Sequence, residues 1–289
     1  MTGSLSFSAV VLTRGDRPVE LTAAVESLRH QQGVECEVVV VGNGADVPAQ
    51  PDDVESLRLA HNVGIPAGRN RGVEVTHGDV IVFLDDDGVL VGEDLFAMLG
   101  REFESDPQLG IVSFRIADPA GGPGARRHVP RLRAGDPMRS SDVTTFLGGA
   151  CAIRRAVFDQ CGGLPEAFFY AHEETDLAWR AIDAGWRITY DARVAMNHPA
   201  TPPSRHADFY RLNARNRVWL ARRRLPWALV PVYVGVWTAI TVVRVRERES
   251  LRVWFEGFSD GWRRDPGPRS PMKWSTVWKL TRMGRPPIV

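Results

Sequence analysis

Two observations predict a doubly wound α/β domain. Short, almost continuously apolar runs rich in Val and Ile alternate with amphipathic segments, and one of those runs empties directly into three consecutive carboxylates. The runs lie at residues 7–13, 38–41, 57–60, 80–84 and 111–114, and their hydrophobicity is that of strands covered on both faces. Between them, residues 18–31 place Leu21, Ala24, Val25 and Leu28 on one helical face, and residues 66–75 and 92–103 supply further crossover helices.

Regularity lapses over residues 118–142, which are rich in Gly, Pro and Arg and predict a long mobile loop carrying Arg126, Arg127, Arg131 and Arg133. Order returns over 146–153, followed by a short helix from Arg154 and a helix over about 173–184. Strands near 187–190 and 194–197 come next, then a helix over about 206–224. Residues 226–243 carry no charged side chain but contain Pro231 and Gly235. Three readings stay open for them: a buried or dimer-forming helix, an interfacial helix dipping into a membrane, or a true span. The tail from Asp265, Pro-rich and basic with Trp274 and Trp278, reads as disordered or as a short surface anchor.

Composition narrows the classes. The 289 residues are 44% hydrophobic and 25% charged, which is globular rather than disordered or fibrous. Three cysteines without a CxxC pair argue against a disulfide framework or structural zinc. No basic segment precedes the first apolar run, so a signal peptide is not expected, and a reducing cytoplasm fits best. Charge is strongly segregated. Residues 1–200 hold 18 Lys and Arg against 29 Asp and Glu, whereas residues 201–289 hold 18 against 6. Arg mixed with Trp and aliphatics in the last third suits an anionic membrane surface, and no nucleic-acid-binding signature accompanies it.

The acidic run Asp85, Asp86 and Asp87 is the strongest chemical signal. Adjacent anions repel unless a cation is present, and oxygen ligands at this density suit Mg2+ or Mn2+. Helix capping accounts for one Asp but not three. The segment 61–72, HNVGIPAGRNRG, is a glycine-bearing loop running into a helix N-terminus, a place that favours an anion, with Arg69 as a fork for phosphate. In HEETDLAWR, Glu173, Glu174 and Asp176 open a helix whose dipole favours them, and Asp176 is placed to pair with Arg180 one turn on. Trp179, Trp186 and Trp219 read as packing aromatics rather than sugar platforms.

Five blocks in order, Thr13-Arg14, Gly42-Asn43-Gly44, NVGIPAGRNRG, FLDDD and HEETDLAWRAIDAGWRI, resemble the family 2 glycosyltransferases of the GT-A fold over roughly residues 7–220. The resemblance implies a Rossmann-like, mostly parallel sheet with helices on both faces. It implies a catalytic domain over 1–224, with a nucleotide half over about 1–117 and an acceptor half over about 143–224, and a helical extension over 225–289. It implies an inverting, metal-dependent enzyme that moves one sugar from a nucleoside-diphosphate donor to an acceptor hydroxyl, either lipid-linked or on a small molecule.

By the same resemblance Asp85 and Asp87 hold Mn2+ or Mg2+, with Asp86 between them and His198 as a further ligand. Thr13, Arg14, Asn43, Gly64 and Arg69 border the donor. Glu174 takes the place of the base, with Glu173 as the second candidate, and Gly148-Gly149 approaches the acceptor. Absence of a QxxRW sequence and of several spans argues for single-sugar addition. A cytoplasmic enzyme resting on the inner membrane face is expected, with a homodimer open. Two other readings are a catalytically silent, membrane-associated sugar-nucleotide-binding protein and, with less support, a sugar-nucleotide pyrophosphorylase.

Overall fold

The computed structural model describes residues 5–119, 129–130, 136–199 and 208–288. The predicted loop arginines Arg126, Arg127, Arg131 and Arg133, and the proposed helix start at His206, lie outside the described residues.

β1 (Phe7–Thr13), α1 (Pro18–Arg29), β2 (Cys36–Asn43), β3 (Val54–Leu59), α2 (Ile65–Glu74) and β4 (Val80–Asp85) build the first half. The neighbours run β3-β2-β1-β4, and each of these pairs is parallel. Strand order reverses between β1 and β4, so their carboxyl ends form the kind of crevice in which open α/β sheets bind ligands. Leu12 pairs with Asp85 across that boundary.

The second half contains β5 (Val89–Leu90), α3 (Leu95–Ser105), β6 (Leu109–Ala117), β7 (Ser141–Asp142), β8 (Ala150–Arg154), α4 (Arg155–Cys161), α5 (Glu173–Asp183) and β9 (Arg187–Asn197). β8 runs antiparallel between β4 and β6, a reversal that hydrophobic pattern alone does not reveal. The two short strands expected near 187–190 and 194–197 are one strand, and its register against β6 shifts between Phe114 and Arg115. That bulge supplies the break in pattern seen in the sequence.

Alternation of side chains divides the core into two faces. Val10, Val39, Val41, Ile81 and Phe83 point to one face. Phe7, Ala9, Val11, Val80, Val82 and Leu84 point to the other, against α1 and α3. Asp85 continues the Ile81-Phe83 alternation and so ends on the face that α2 and α5 cover.

The C-terminal part is α6 (Phe209–Arg224), α7 (Val230–Arg244), α8 (Arg248–Arg263) and α9 (Trp274–Arg282). Pro231 falls in the first turn of α7, where a missing N–H costs nothing, so it does not interrupt that helix. A fully buried core helix is set aside for this run, because only 11% of the Trp227–Arg244 stretch is buried. The tail is neither disordered nor a free anchor. Met272, Val277 and Leu280 join the main core, and Asp183 at the end of α5 accepts hydrogen bonds from the Lys273 N–H at 2.8 Å and the Thr276 hydroxyl at 2.5 Å.

Candidate active site

The acidic run sits at the carboxyl end of β4 with basic side chains on three sides. Arg17, from the loop after β1, pairs with Asp87 and reaches Asp86 at 2.9 Å. Arg69 of α2 lies 3.0 Å from Asp85, its guanidinium over the Phe83 ring. His198, just past β9, places Nε2 3.0 Å from Asp87 and 4.0 Å from Asp85. The buried Thr13 hydroxyl donates to Asp86 at 2.8 Å.

Burial pushes the Asp86 carboxyl up to about 6, with its acidic neighbours adding to the effect against Thr13 and Arg17. Burial acts in the same direction on Asp87, but His198 and Arg17 outweigh it and hold that carboxyl below the usual range. Potential ligand atoms of Asp85, Asp87 and His198 all lie within 4.8 Å of one another. Two carboxylates and one imidazole fit Mn2+, and also Mg2+ if water completes the shell.

Asn43 is almost fully buried, and its amide is turned to the backbone. Oδ1 accepts from the Val63 N–H at 2.9 Å and Nδ2 donates to the Gly64 carbonyl at 3.2 Å, so it ties the end of β2 to the loop before α2. Gly64 precedes α2 as its N-cap at φ +88°, and a Cβ there would strike the Phe169 backbone. Arg14 is exposed and, among the described residues, makes no ion pair. Arg71 pairs with Glu74 and Glu166 at the surface. The loop arginine that reaches the acidic run is therefore Arg17, three residues beyond Arg14. Side-chain direction within a loop leaves no periodic trace by which the two can be told apart.

Across the crevice, Gly148 and Gly149 let the two acidic groups meet. The Asp85 carboxylate lies against Gly149, and the Glu174 carboxylate and Arg69 guanidinium lie against Gly148. Glu174, at the start of α5, is half-buried, and burial raises its carboxyl, with Arg69 opposing. Glu173 is almost fully enclosed, its Oε2 has no hydrogen-bond partner, and burial followed by the Glu174 charge pushes its carboxyl to about 8. Asp176 faces the other way, into a buried group of arginines.

The loop before α5 is unusual, since Phe169, Ala171 and His172 all have positive φ. Left-handed backbone is costly for such residues and persists only where its surroundings enforce it. Asn216 of α6 provides that: its fully buried amide nitrogen donates to the carbonyls of Phe168, Tyr170 and Ala171 at 2.9, 2.7 and 3.0 Å. Nothing in the α6 sequence distinguishes this residue from the Asn213 one turn earlier.

The model of glycosyl transferase family 2 matches residues 8–162, more than half of the chain. The chain belongs to glycosyl transferase family 2. This family 2 chain is 30% identical over 178 residues to the pre-mycofactocin glycosyltransferase of Mycobacterium tuberculosis, a match covering 56% of this chain and 37% of that protein. It thus spans little more than a third of that curated relative. In fold it is similar to S. aureus TarS 1-349 in complex with UDP-GlcNAc, with TM-score 0.62, 16% identity, and coverage of 89% of this chain and 80% of that one. It is also similar to the mannosyltransferase PcManGT from Pyrobaculum calidifontis in complex with GDP-Man and Mn2+, with TM-score 0.56, 14% identity, and coverage of 98% and 74%. These likenesses place the family 2 chain in the GT-A fold, as expected from its sequence blocks.

Proposed function

We propose that this family 2 chain is an inverting glycosyltransferase that moves one sugar from a nucleoside-diphosphate donor to an acceptor hydroxyl. The convergence of Asp85, Asp87 and His198 at one end of a crevice whose other end is Glu174 carries the reading. Asp85, Asp87 and His198 would hold Mn2+ or Mg2+, which supplies positive charge for the leaving diphosphate. Arg69 adds a fixed guanidinium on the same side; the α2 N-terminus adds little to it, because the Gly64 N–H donates to Asn62 Oδ1, the Ile65 N–H donates to the Phe169 carbonyl, and Pro66 has no N–H.

Of the two candidate bases, Glu173 is almost fully enclosed, with burial and the Glu174 charge raising its carboxyl, whereas Glu174 is the more exposed and the better placed to meet an acceptor hydroxyl. Glu174 takes the proton of the acceptor hydroxyl as its oxygen bonds to the anomeric carbon. The bond from that carbon to the diphosphate breaks on the opposite face, and the nucleoside diphosphate leaves with the electron pair. A carboxyl moved toward neutrality by burial is better matched to this task than a fully solvated one.

The C-terminal part supports a place at a membrane surface. Trp227, Val242, Val243, Trp274 and Trp278 are exposed, and Arg244, Arg246, Lys279 and Arg282 lie among them. Exposed aromatic and basic side chains over the last third of the chain suit the inner face of an anionic membrane, where a cytoplasmic enzyme meets a lipid-linked acceptor.

The deciding experiment is thermal stabilisation by UDP, dTDP and GDP, each with and without Mn2+, on the wild type and on Asp87→Ala, followed by turnover of Glu174→Gln. A metal-dependent shift for one nucleotide, lost in Asp87→Ala, together with loss of transfer in Glu174→Gln, is expected. Absence of any nucleotide shift in the wild type would reject the reading.

A further inference from the structure

Each carboxylate beside His198 has one oxygen held by an arginine and the other turned to the imidazole. Arg69 Nη2 meets Asp85 Oδ1 at 3.0 Å, and Asp85 Oδ2 lies 4.0 Å from His198 Nε2. Arg17 Nη1 pairs with Asp87 Oδ2, and Asp87 Oδ1 lies 3.0 Å from the same Nε2.

Both arginines are held in place by neighbours of their own. Arg17 Nη2 meets Asp86 Oδ1 at 2.9 Å, and Asp86 Oδ2 accepts the Thr13 hydroxyl at 2.8 Å, whose oxygen in turn accepts the Gly15 N–H at 3.1 Å. Asp86 is thus engaged at both oxygens by the loop after β1, which makes it a strut for Arg17. Arg69 is almost fully buried, with its guanidinium carbon 5.4 Å from the centre of the Phe83 ring.

A guanidinium places positive charge beside the oxygen it meets, so a divalent cation is repelled from that oxygen and drawn to the other one. Asp85 and Asp87 are thereby reduced to one donor atom each. With His198 they offer three single atoms that lie within 4.8 Å of one another. Three such donors, completed by water or phosphate oxygens, build the octahedron that Mg2+ and Mn2+ adopt. Ca2+ is larger, takes about six to eight oxygens and often both oxygens of one carboxylate, so it loses most where one of the two is masked.

We propose that Arg17 and Arg69 select the cation of this site: by masking one oxygen each of Asp87 and Asp85, they make it discriminate against Ca2+ in favour of Mn2+ and Mg2+. The proposal rests on the metal reading of Asp85, Asp87 and His198. It adds two positioning residues that choose the ion without touching it.

The test is calorimetric binding of Mn2+ alone and of Ca2+ alone to the full chain, wild type and Arg17→Gln. Arg17 is the arginine to change because it is part-exposed whereas Arg69 is buried. Both ions carry two charges, so loss of the Arg17 charge strengthens both alike and cancels in the ratio of their Kd values, which reads geometry. The expected result is a wild type that prefers Mn2+ and a preference at least about tenfold smaller in Arg17→Gln, with Ca2+ gaining more than Mn2+. If Arg17→Gln fails to fold, Arg17→Lys is read in the same way, since one ammonium cannot span Asp86 and Asp87 as the planar fork does. An unchanged ratio in a folded variant overturns the proposal and leaves the metal reading standing. A wild type that binds Ca2+ as tightly as Mn2+ overturns the proposal without any variant. If the wild type binds no Mn2+, either alone or with UDP, the metal reading falls and the proposal falls with it.

Discussion

Arg224 of α6 meets the fully buried Asp176 of α5 side-on, with Nε 2.7 Å from Oδ1 and Nη2 3.2 Å from Oδ2. Arg180 closes on the same carboxylate from one turn along α5, at 2.8 Å through Nε. The third acidic residue of the EETD segment is thus a joint between helices, while its neighbours Glu173 and Glu174 turn to the crevice. Burial alone would raise the Asp176 carboxyl, but Arg180 and Arg224 hold it below the usual range. Removing one partner of a buried ionic group leaves the others uncompensated, so Asp176→Ala is expected to cost about 3–5 kcal/mol. Because the folded value is depressed, the stabilisation is present above the unfolded carboxyl value of about 3.9 and is lost as pH falls through the folded one. Urea unfolding of wild type and Asp176→Asn should show a constant difference between pH 7 and pH 5 that shrinks below about pH 4.

Asn216 acts on the site from a distance through three carbonyls of the left-handed loop. Asn216→Ala removes the side-chain donor of the Tyr170 and Ala171 carbonyls, while the Phe168 carbonyl keeps Arg215 and the Tyr170 N–H, at about 1–3 kcal/mol for the buried group lost. The loop can then relax, and Glu174 with it. Steady-state kinetics should show kcat reduced by about 10- to 100-fold with the donor KM nearly unchanged, since misplacement of a reacting group is costly in rate. A loss of stability with unchanged kcat would assign Asn216 to packing only.

Much of this site was legible in the sequence because its signals are local. A strand that is apolar to Leu84 and anionic from Asp85 announces both a sheet edge and a cation, and Glu173-Glu174 at a helix start announces a second acidic group. What escaped is non-local. Asp176 and Arg224 are 48 residues apart. The arginines of α6 read as part of a basic last third suited to an anionic membrane surface until the buried carboxylate between them is seen. The tail reads as disordered or as a short surface anchor, yet Val277 and Leu280 fall three apart on a helix whose start is held by Asp183, 90 residues earlier than Lys273. Arg17 rather than Arg14 meets the acidic run because Thr13 and the turn at Gly15 decide which way the loop faces.

Glu173 makes a prediction about pH. Its carboxyl is raised to about 8 by burial and by Glu174, against about 4.3 in an unfolded chain. The folded state therefore holds a proton that the unfolded state has lost, and stability declines as pH rises between those values. Glu173→Gln keeps the neutral shape without the titration. In the absence of nucleotide and metal, the variant should gain on the wild type progressively from about pH 4.3 to pH 8, at up to about 1.4 kcal/mol per pH unit. Parallel urea curves at pH 5, 7 and 9 measure it, and a pH-independent difference would show that Glu173 ionises freely in the folded chain.

Gly149 tests whether the acidic run must keep its position for donor binding. A Cβ at this residue would overlap the Asp85 carboxylate, which is the far end of a side chain and can swing aside, whereas the β4–β8 pairing around it need not change. Gly149→Ala should therefore unfold within about 1–2 kcal/mol of the wild type, in the range of a modest overpacking cost. Displacing Asp85 would separate it from Arg69 and from the space shared with Asp87 and His198. The expected outcome is that stabilisation by UDP with Mn2+ falls by at least about 1.4 kcal/mol, a tenfold loss in affinity, while any metal-independent part is kept. Wild-type metal-dependent binding in Gly149→Ala would mean that Asp85 is not a ligand and that Asp87 and His198 hold the cation without it.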